Sequence, residues 1–202
     1  MIKNIIFDVG KVLIDWNPRL TMLELGFSDN DIAAIMSAIF DSGAWSEEDR
    51  GIISHEDMYD FLASKSPEHA AQIRLFYDHS MDSVKVMPYT HDWISSLKAN
   101  GFNVYILSNF GAVAWNKAIE LGAINFLHLT DGKLVSNEVN LIKPDPAIFH
   151  ALLERFELCP EECVFLDDNL DNVKGAISVG IHGIHFTDYT SACNQLHILT
   201  GI

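Results

Sequence analysis

Short apolar runs that each stop at a polar group constrain this chain more than any other feature. Ile2 to Val9, Asn103 to Leu107, Glu162 to Leu166 and Gly183 to Phe186 are too short for helices and are flanked by helical periodicity. Runs of this kind read as strands of a parallel sheet covered by helices, so the expected fold class is α/β. Phe7-Asp8, Leu107-Ser108-Asn109 and Leu166-Asp167-Asp168 then stand at strand C-termini. That edge is where ligands bind in an open α/β sheet.

Residues 16 to 88 interrupt the strand pattern with helical periodicity, for example Asp29 to Phe40 and Glu56 to Ser64. Ser28 or Asn30 is placed to cap one helix, and Ser54 with Asp57 to open another as a capping box. Leu127 to Lys143 contains the turn signal Asp131-Gly132 and is expected to form a strand or hairpin beside the sheet. The chain of 202 residues is therefore expected to divide into a core, 1–15 and 89–202, and a helical insertion, 16–88.

Composition limits the partners. A formal charge of −15 lacks the basic face that nucleic acid or an anionic membrane needs, and no apolar run approaches the ~20 residues that span a bilayer. Cys159, Cys163 and Cys193 are an odd number without metal-type spacing; Cys159 and Cys163, four apart, read as buried thiols near a helix-to-strand turn rather than as a redox pair, which fits a reducing cytoplasm. Net negative charge does not exclude a phosphorylated metabolite, because a metal, a lysine and backbone amides can reverse the field locally.

Four short motifs follow in order: Asp8-Val9-Gly10-Lys11-Val12, Ser108-Asn109, Lys143-Pro144-Asp145 and Asp167-Asp168-Asn169. Each alone has an ordinary reading. Ser108-Asn109 is a loop or helix cap, Lys143 a solvated lysine, and Asp167-Asp168 a strand-end pair. In this order and at these strand ends they make the chain resemble the haloacid dehalogenase superfamily over nearly its whole length. Phe7 to Val12 and Phe165 to Asn172 are most similar to the branch of the bacterial α-glucose-1-phosphate phosphatases, and the N-terminal phosphatase domains of epoxide hydrolases are also similar. The resemblance implies a Rossmann-like core with an inserted helical cap, and Mg²⁺-dependent hydrolysis of a small phosphomonoester, with a sugar phosphate as the candidate substrate.

The residues suit that chemistry. A carboxylate at a strand end can attack phosphorus and divide one hard displacement into formation and hydrolysis of an acyl-phosphate, and Asp8 is the expected nucleophile. Bringing it to an anionic ester requires positive charge, expected from Mg²⁺ held by Asp8, Asp168 and the Gly10 carbonyl, with Asp167 behind a metal-bound water. Ser108 and Asn109 are the expected phosphate contacts, together with Lys143, whose cation offsets charge on the phosphoryl oxygens. Which of Asp167 and Asp168 meets the ion directly stays open.

One position departs from the family pattern. The acid that most phosphatases of this superfamily carry two residues after the nucleophile is here Gly10. Such an acid contributes typically ~10²–10⁴-fold. A good leaving group, another acid such as Asp15, or a metal-ordered water would have to substitute. The gap keeps two rivals in view, a metal-independent haloacid dehalogenase and a phosphate-binding module without turnover. Trp16, Trp45, Arg50 and His55 are candidates for substrate contact within the insertion, with packing or solvation as the ordinary reading.

Overall fold

The computed structural model describes residues 1–201. The chain opens with β1 (Asn4–Phe7) and passes through β2 (Ile14–Asp15) into five helices. These are α1 (Pro18–Glu24), α2 (Asp29–Met36), α3 (Ala44–Asp49), α4 (His55–Lys65) and α5 (Ala70–His79). It returns through β3 (Lys85–Val86) to α6 (Thr90–Ala99), β4 (Asn103–Ser108), α7 (Ala112–Glu120), β5 (Gly132–Val135) and the short α8 (Ser136–Val139). The remainder runs α9 (Pro146–Arg155), β6 (Cys163–Asp167), α10 (Leu170–Ser178), β7 (His182–His185) and α11 (Tyr189–Thr200).

Five strands form a parallel sheet in the order β5-β4-β1-β6-β7. Side chains alternate across it as a period of two requires. Ile5 and Phe7 join Val104, Ile106, Val164 and Leu166 against Trp93, Leu97 and Trp115 on one face. Ile6, Tyr105, Leu107 and Phe165 meet Ile148, Phe149 and Leu152 on the other. Both faces are covered, which is why the central strands β1, β4 and β6 are mostly apolar and buried. The register aligns Phe7 with Ile106 and with Leu166, so Asp8, Asp167 and Ser108 emerge together at one edge.

The helices between β2 and β3 enclose a third apolar cluster built on Met22, Ile32, Ile35, Met58, Leu62, Ile73 and Phe76. Ser28 caps α2 in a reciprocal box with Asp31, and Ser54 caps α4 by accepting from Asp57 N–H. The helix expected to run to Phe40 gives way after Met36 to a π-helical turn over Ser37–Asp41, which carries Phe40 toward the site described below. The chain enters and leaves this module side by side, Ile14 pairing antiparallel with Val86.

Leu127 to Lys143 holds a single strand, parallel at the sheet edge, and no hairpin. Asp131 is not a hairpin turn residue: its carboxylate accepts from Val104 N–H at 2.7 Å and from the Lys98 ammonium. Cys159, Cys163 and Cys193 are all free; Cys163 is buried at the start of β6, whereas Cys159, expected to be buried, is exposed on the turn before it. No helix among the described residues is long and apolar enough to cross a membrane.

Candidate active site

Lys143 is the centre of the sheet edge. Its ammonium, almost fully buried, donates to Asp8 Oδ1 at 2.7 Å, to Asp167 Oδ2 at 2.7 Å and to the Leu107 carbonyl at 3.0 Å. Three acceptors match the three protons of an ammonium, so the side chain has one defined orientation. Burial alone would lower its pKa, but the charges of Asp167 and Asp8 outweigh it and hold the lysine above its usual range. Asn109 fixes the backbone beneath: its side chain accepts from Lys143 N–H at 2.9 Å and donates to the Lys143 carbonyl at 3.0 Å. The amide expected to face a phosphate is thus committed to holding the lysine. Ser108 is buried beside it at the end of β4.

Asp8 and Asp167 differ in surroundings. Burial pushes the Asp8 carboxyl up to about 7, with Lys143 pulling it down and Asp167 adding to the rise. Asp167 is fully enclosed and accepts from Asn169 N–H at 2.7 Å and from Asn172 Nδ2 at 3.1 and 3.0 Å, besides Lys143. Asp168 is only half-buried and open to the cavity. Its pKa is raised by burial and drawn back by Lys11, whose ammonium lies 3.5 Å away. Lys11, in a left-handed backbone conformation (φ 59°), therefore faces the site.

These groups share a cavity of about 240 Å³ lined by Asp8, Gly10, Lys11, Asn109, Lys143, Asp168 and Asn172 on the sheet side. The opposite wall is apolar, with Trp16, Phe40, Trp45, Met81 and Phe110, and among them stands one acid, Asp49. Trp16 and Trp45 pack with centroids 5.7 Å apart, and Phe40 lies 5.1 Å from Trp45. Trp16 Nε1 is buried without a hydrogen-bond partner. His55 does not reach the cavity: its Nδ1 lies 2.7 Å from Glu48 Oε1, while Glu48 Oε2 accepts from Tyr77 at 2.8 Å. Arg50 lies outside the lining, as does Asp15, which is exposed on β2.

Asp49, Asn172, Phe40, Met81 and Phe110 escaped sequence reasoning. Asn172 had a readable signal, since the first turn of a helix after a strand-end acid returns its side chain to that acid. Asp49 had none, because it closes an acidic run that reads as a solvated face. Gly175 escaped for another reason. A Cβ there would stand 2.5 Å from the Pro144 carbonyl, so only glycine lets α10 lie against the loop carrying Lys143. Gly175→Ala is expected to destabilise the fold by about 1–3 kcal/mol in denaturant melts and to lower turnover by displacing Lys143.

The acids fit a hard cation. Asp8, Asp167 and Asp168 bring carboxylate oxygens within 4.8 Å of one another, three acids beside the ammonium groups of Lys143 and Lys11. Oxygen donors in this number and charge suit Mg²⁺.

The chain matches haloacid dehalogenase-like hydrolases over residues 2–180. It is 29% identical over 199 residues to the sesquiterpene phosphatase astK of Aspergillus oryzae, covering 98% of this chain and 97% of that one. It is 28% identical to the drimenol cyclase drtB of Aspergillus calidoustus over 205 residues, 100% of this chain but 37% of drtB. A family enzyme of Bacteroides thetaiotaomicron, crystallised with magnesium and inorganic phosphate, superimposes with a TM-score of 0.74 at 24% identity, over 94% of this chain and 98% of that one. At that identity the likeness shows the fold. The match across most of the chain, on a parallel sheet that gathers the acids and the lysine at one edge, makes this protein a member of the haloacid dehalogenase-like hydrolases.

Proposed function

We infer that this hydrolase is a phosphatase that removes phosphate from a small organic ester through an aspartyl-phosphate at Asp8. The observation that carries the reading is the placement of the Lys143 ammonium 2.7 Å from both Asp8 and Asp167. A buried cation in that position keeps a nucleophilic carboxylate oriented and offsets charge on an approaching phosphoryl group. Asp8, Asp168 and the Gly10 carbonyl would hold Mg²⁺, and Asp167, its oxygens already engaged by Lys143, Asn169 and Asn172, would hold a metal-bound water. When bound, the ion supplies positive charge to the phosphoryl oxygens and favours the ionised form of Asp8. Ser108 and the Asn109 strand end complete the phosphate side. Asp8 attacks phosphorus, the ester P–O bond breaks, and water later opens the acyl-phosphate. Three retained acids favour this over displacement of halide from carbon, which needs no cation.

The wall opposite narrows the organic part. A sugar places hydroxyls against every surface, and burying one without a partner costs roughly 1–3 kcal/mol. Across from the phosphate side, the lining offers the acid Asp49 among aromatic and methionine side chains. The phosphate of an apolar alcohol fits better than a sugar phosphate, in keeping with the name of the sesquiterpene phosphatase. The helical module that supplies all of this wall but Phe110 would act as the cap that excludes water and selects the ester.

The test is a panel of geranyl monophosphate, phenyl phosphate and glucose 1-phosphate, with Mg²⁺ and with chelator. Phosphate release is expected only with the cation, with kcat/KM for the geranyl ester above that for the sugar by more than about tenfold, or about 1.4 kcal/mol. Release that is indifferent to chelation, or chloride release from haloacids instead, would refute the reading.

A further inference from the structure

The position that carries the proton donor in most phosphatases of this family is Gly10, and the vacancy is not one of space. A Cβ built there meets no atom within 4 Å. Across the cavity, the module brings in Asp49, the one acid of the apolar wall.

Its position is fixed by docking rather than by chance exposure. Asp49 closes α3, and its backbone carbonyl accepts a short hydrogen bond from the Ser136 hydroxyl, which in turn accepts from Phe110 N–H at 2.9 Å. Asn140 Nδ2 donates to the Arg50 carbonyl at 3.0 Å. Gly51, at φ +75°, sits so close to Asn137 that a Cβ would lie 3.1 Å from its carbonyl oxygen. Three consecutive residues, Asp49 to Gly51, thus lie against α8 and the Asn140 that follows it. The Asp49 carboxylate itself accepts from Gly111 N–H, on the loop after β4.

Resting on the phosphatase reading above, we propose that Asp49 protonates the departing alkoxide and then serves as base for hydrolysis of the acyl-phosphate. In the first step an oxygen of Asp8 bonds to phosphorus, the P–O(alkyl) bond breaks, and the Asp49 proton passes to the leaving oxygen, giving the free alcohol. In the second step the Asp49 carboxylate takes a proton from water, whose oxygen bonds to phosphorus as the P–O(Asp8) bond breaks. Inorganic phosphate leaves, with Asp8 ionised and Asp49 protonated again.

The electrostatics agree with this cycle. Burial, with the charge of Glu48 beside it, pushes the Asp49 carboxyl up to about 8, while Gly111 N–H and Lys143 favour its ionised form and Asp8 opposes it. The groups facing it are therefore Glu48 on its own helix, Tyr77 on α5, and Asp8 and Lys143 on the sheet side, with Asp168 and Lys11 farther along the same lining. A carboxyl so placed carries its proton near neutrality. An apolar alkyl phosphate, whose alkoxide is a poor leaving group, requires that proton. An aryl phosphate with an electron-poor ring does not.

The test compares geranyl monophosphate with p-nitrophenyl phosphate, in the Mg²⁺-loaded native protein and in Asp49→Asn. For the geranyl ester, kcat/KM is expected to fall about 10²–10⁴-fold more than for the aryl ester. In the variant the aryl ester should give a burst of nitrophenol followed by slow turnover, because the base for the second step is also gone. Equal losses in kcat/KM on both esters, or no loss on either, overturn the assignment while leaving the phosphatase reading intact. The native protein provides a control free of any folding defect. Its kcat/KM for the geranyl ester should decline on the alkaline side in a limb that the aryl ester lacks, and a limb shared by both esters overturns the assignment. Absence of phosphate release from either ester in the native protein defeats the phosphatase reading itself.

Discussion

Replacing Asp8 by Asn is expected to reduce Mg²⁺-dependent phosphate release by on the order of 10⁵–10⁶-fold, the scale set by removing an enzyme nucleophile. Asparagine keeps the shape and can still accept from Lys143, so the loss isolates the attacking oxygen. Stability should move the other way. In the folded, metal-free protein Asp8 binds its proton up to about pH 7, against about 3.9 for an unfolded aspartate. A carboxyl whose folded pKa is raised contributes stability below the unfolded value and loses it as pH rises through the folded one. At pH 8 without Mg²⁺ the ionised Asp8 is therefore a cost, and Asp8→Asn should melt higher than the native chain. Adding Mg²⁺ should raise the native melting temperature and move the variant much less. A variant that keeps phosphate release, or melts far below the native chain at pH 8, contradicts this account of the nucleophile.

Lys143→Met should have the second largest effect, and on both properties together. Methionine fills the volume of the stem but leaves Asp8, Asp167 and the Leu107 carbonyl without their shared donor. Breaking a buried ion pair from one side costs about 3–5 kcal/mol, because the remaining charge has no partner. Denaturant melts at neutral pH should show that loss. Turnover should fall by at least about 10²–10³-fold, as when a preorganised donor is removed from a charged transition state. Lys143→Arg is not a conservative control, since a planar guanidinium cannot address three acceptors arranged around one nitrogen. Unchanged stability in Lys143→Met would mean that the two acids are not held as charges in the fold.

The site was legible where strand grammar placed it. Asp8, Ser108 and Asp167 stand at the ends of strands whose apolar character comes from being covered on both faces, and parallel register brings those ends level. Lys143 was legible through its family motif, but the job of Asn109 was not. An amide at a strand end suits a phosphate and a backbone clamp equally, and only the approach of the Lys143 loop decides between them. Within the module, Ser28 and Ser54 announced their helices because capping is local chemistry. The break after Met36 and the inward turn of Asp49 were not announced. Glu47, Glu48 and Asp49 look alike in sequence, yet Glu48 is buried against Tyr77 and His55 while Asp49 faces the cavity. Which acid turns where is set by docking on Ser136 and Gly111, contacts distant in the chain.

The strand pair formed by Ile14 and Val86 brings both ends of the helical excursion to one spot. Most residues that face the organic group, all but Phe110, are thus written on one stretch of chain, and Asp8, Ser108, Lys143 and the acids of the sheet edge on another, joined at this seam. The aromatic wall can be redrawn for another alcohol without disturbing a strand of the sheet. The exception is the short contact from Asp49 to Gly51, which any exchanged segment would have to reproduce in order to reach Ser136 and Asn140. Diversification through that seam is free in shape and bound at one point of attachment.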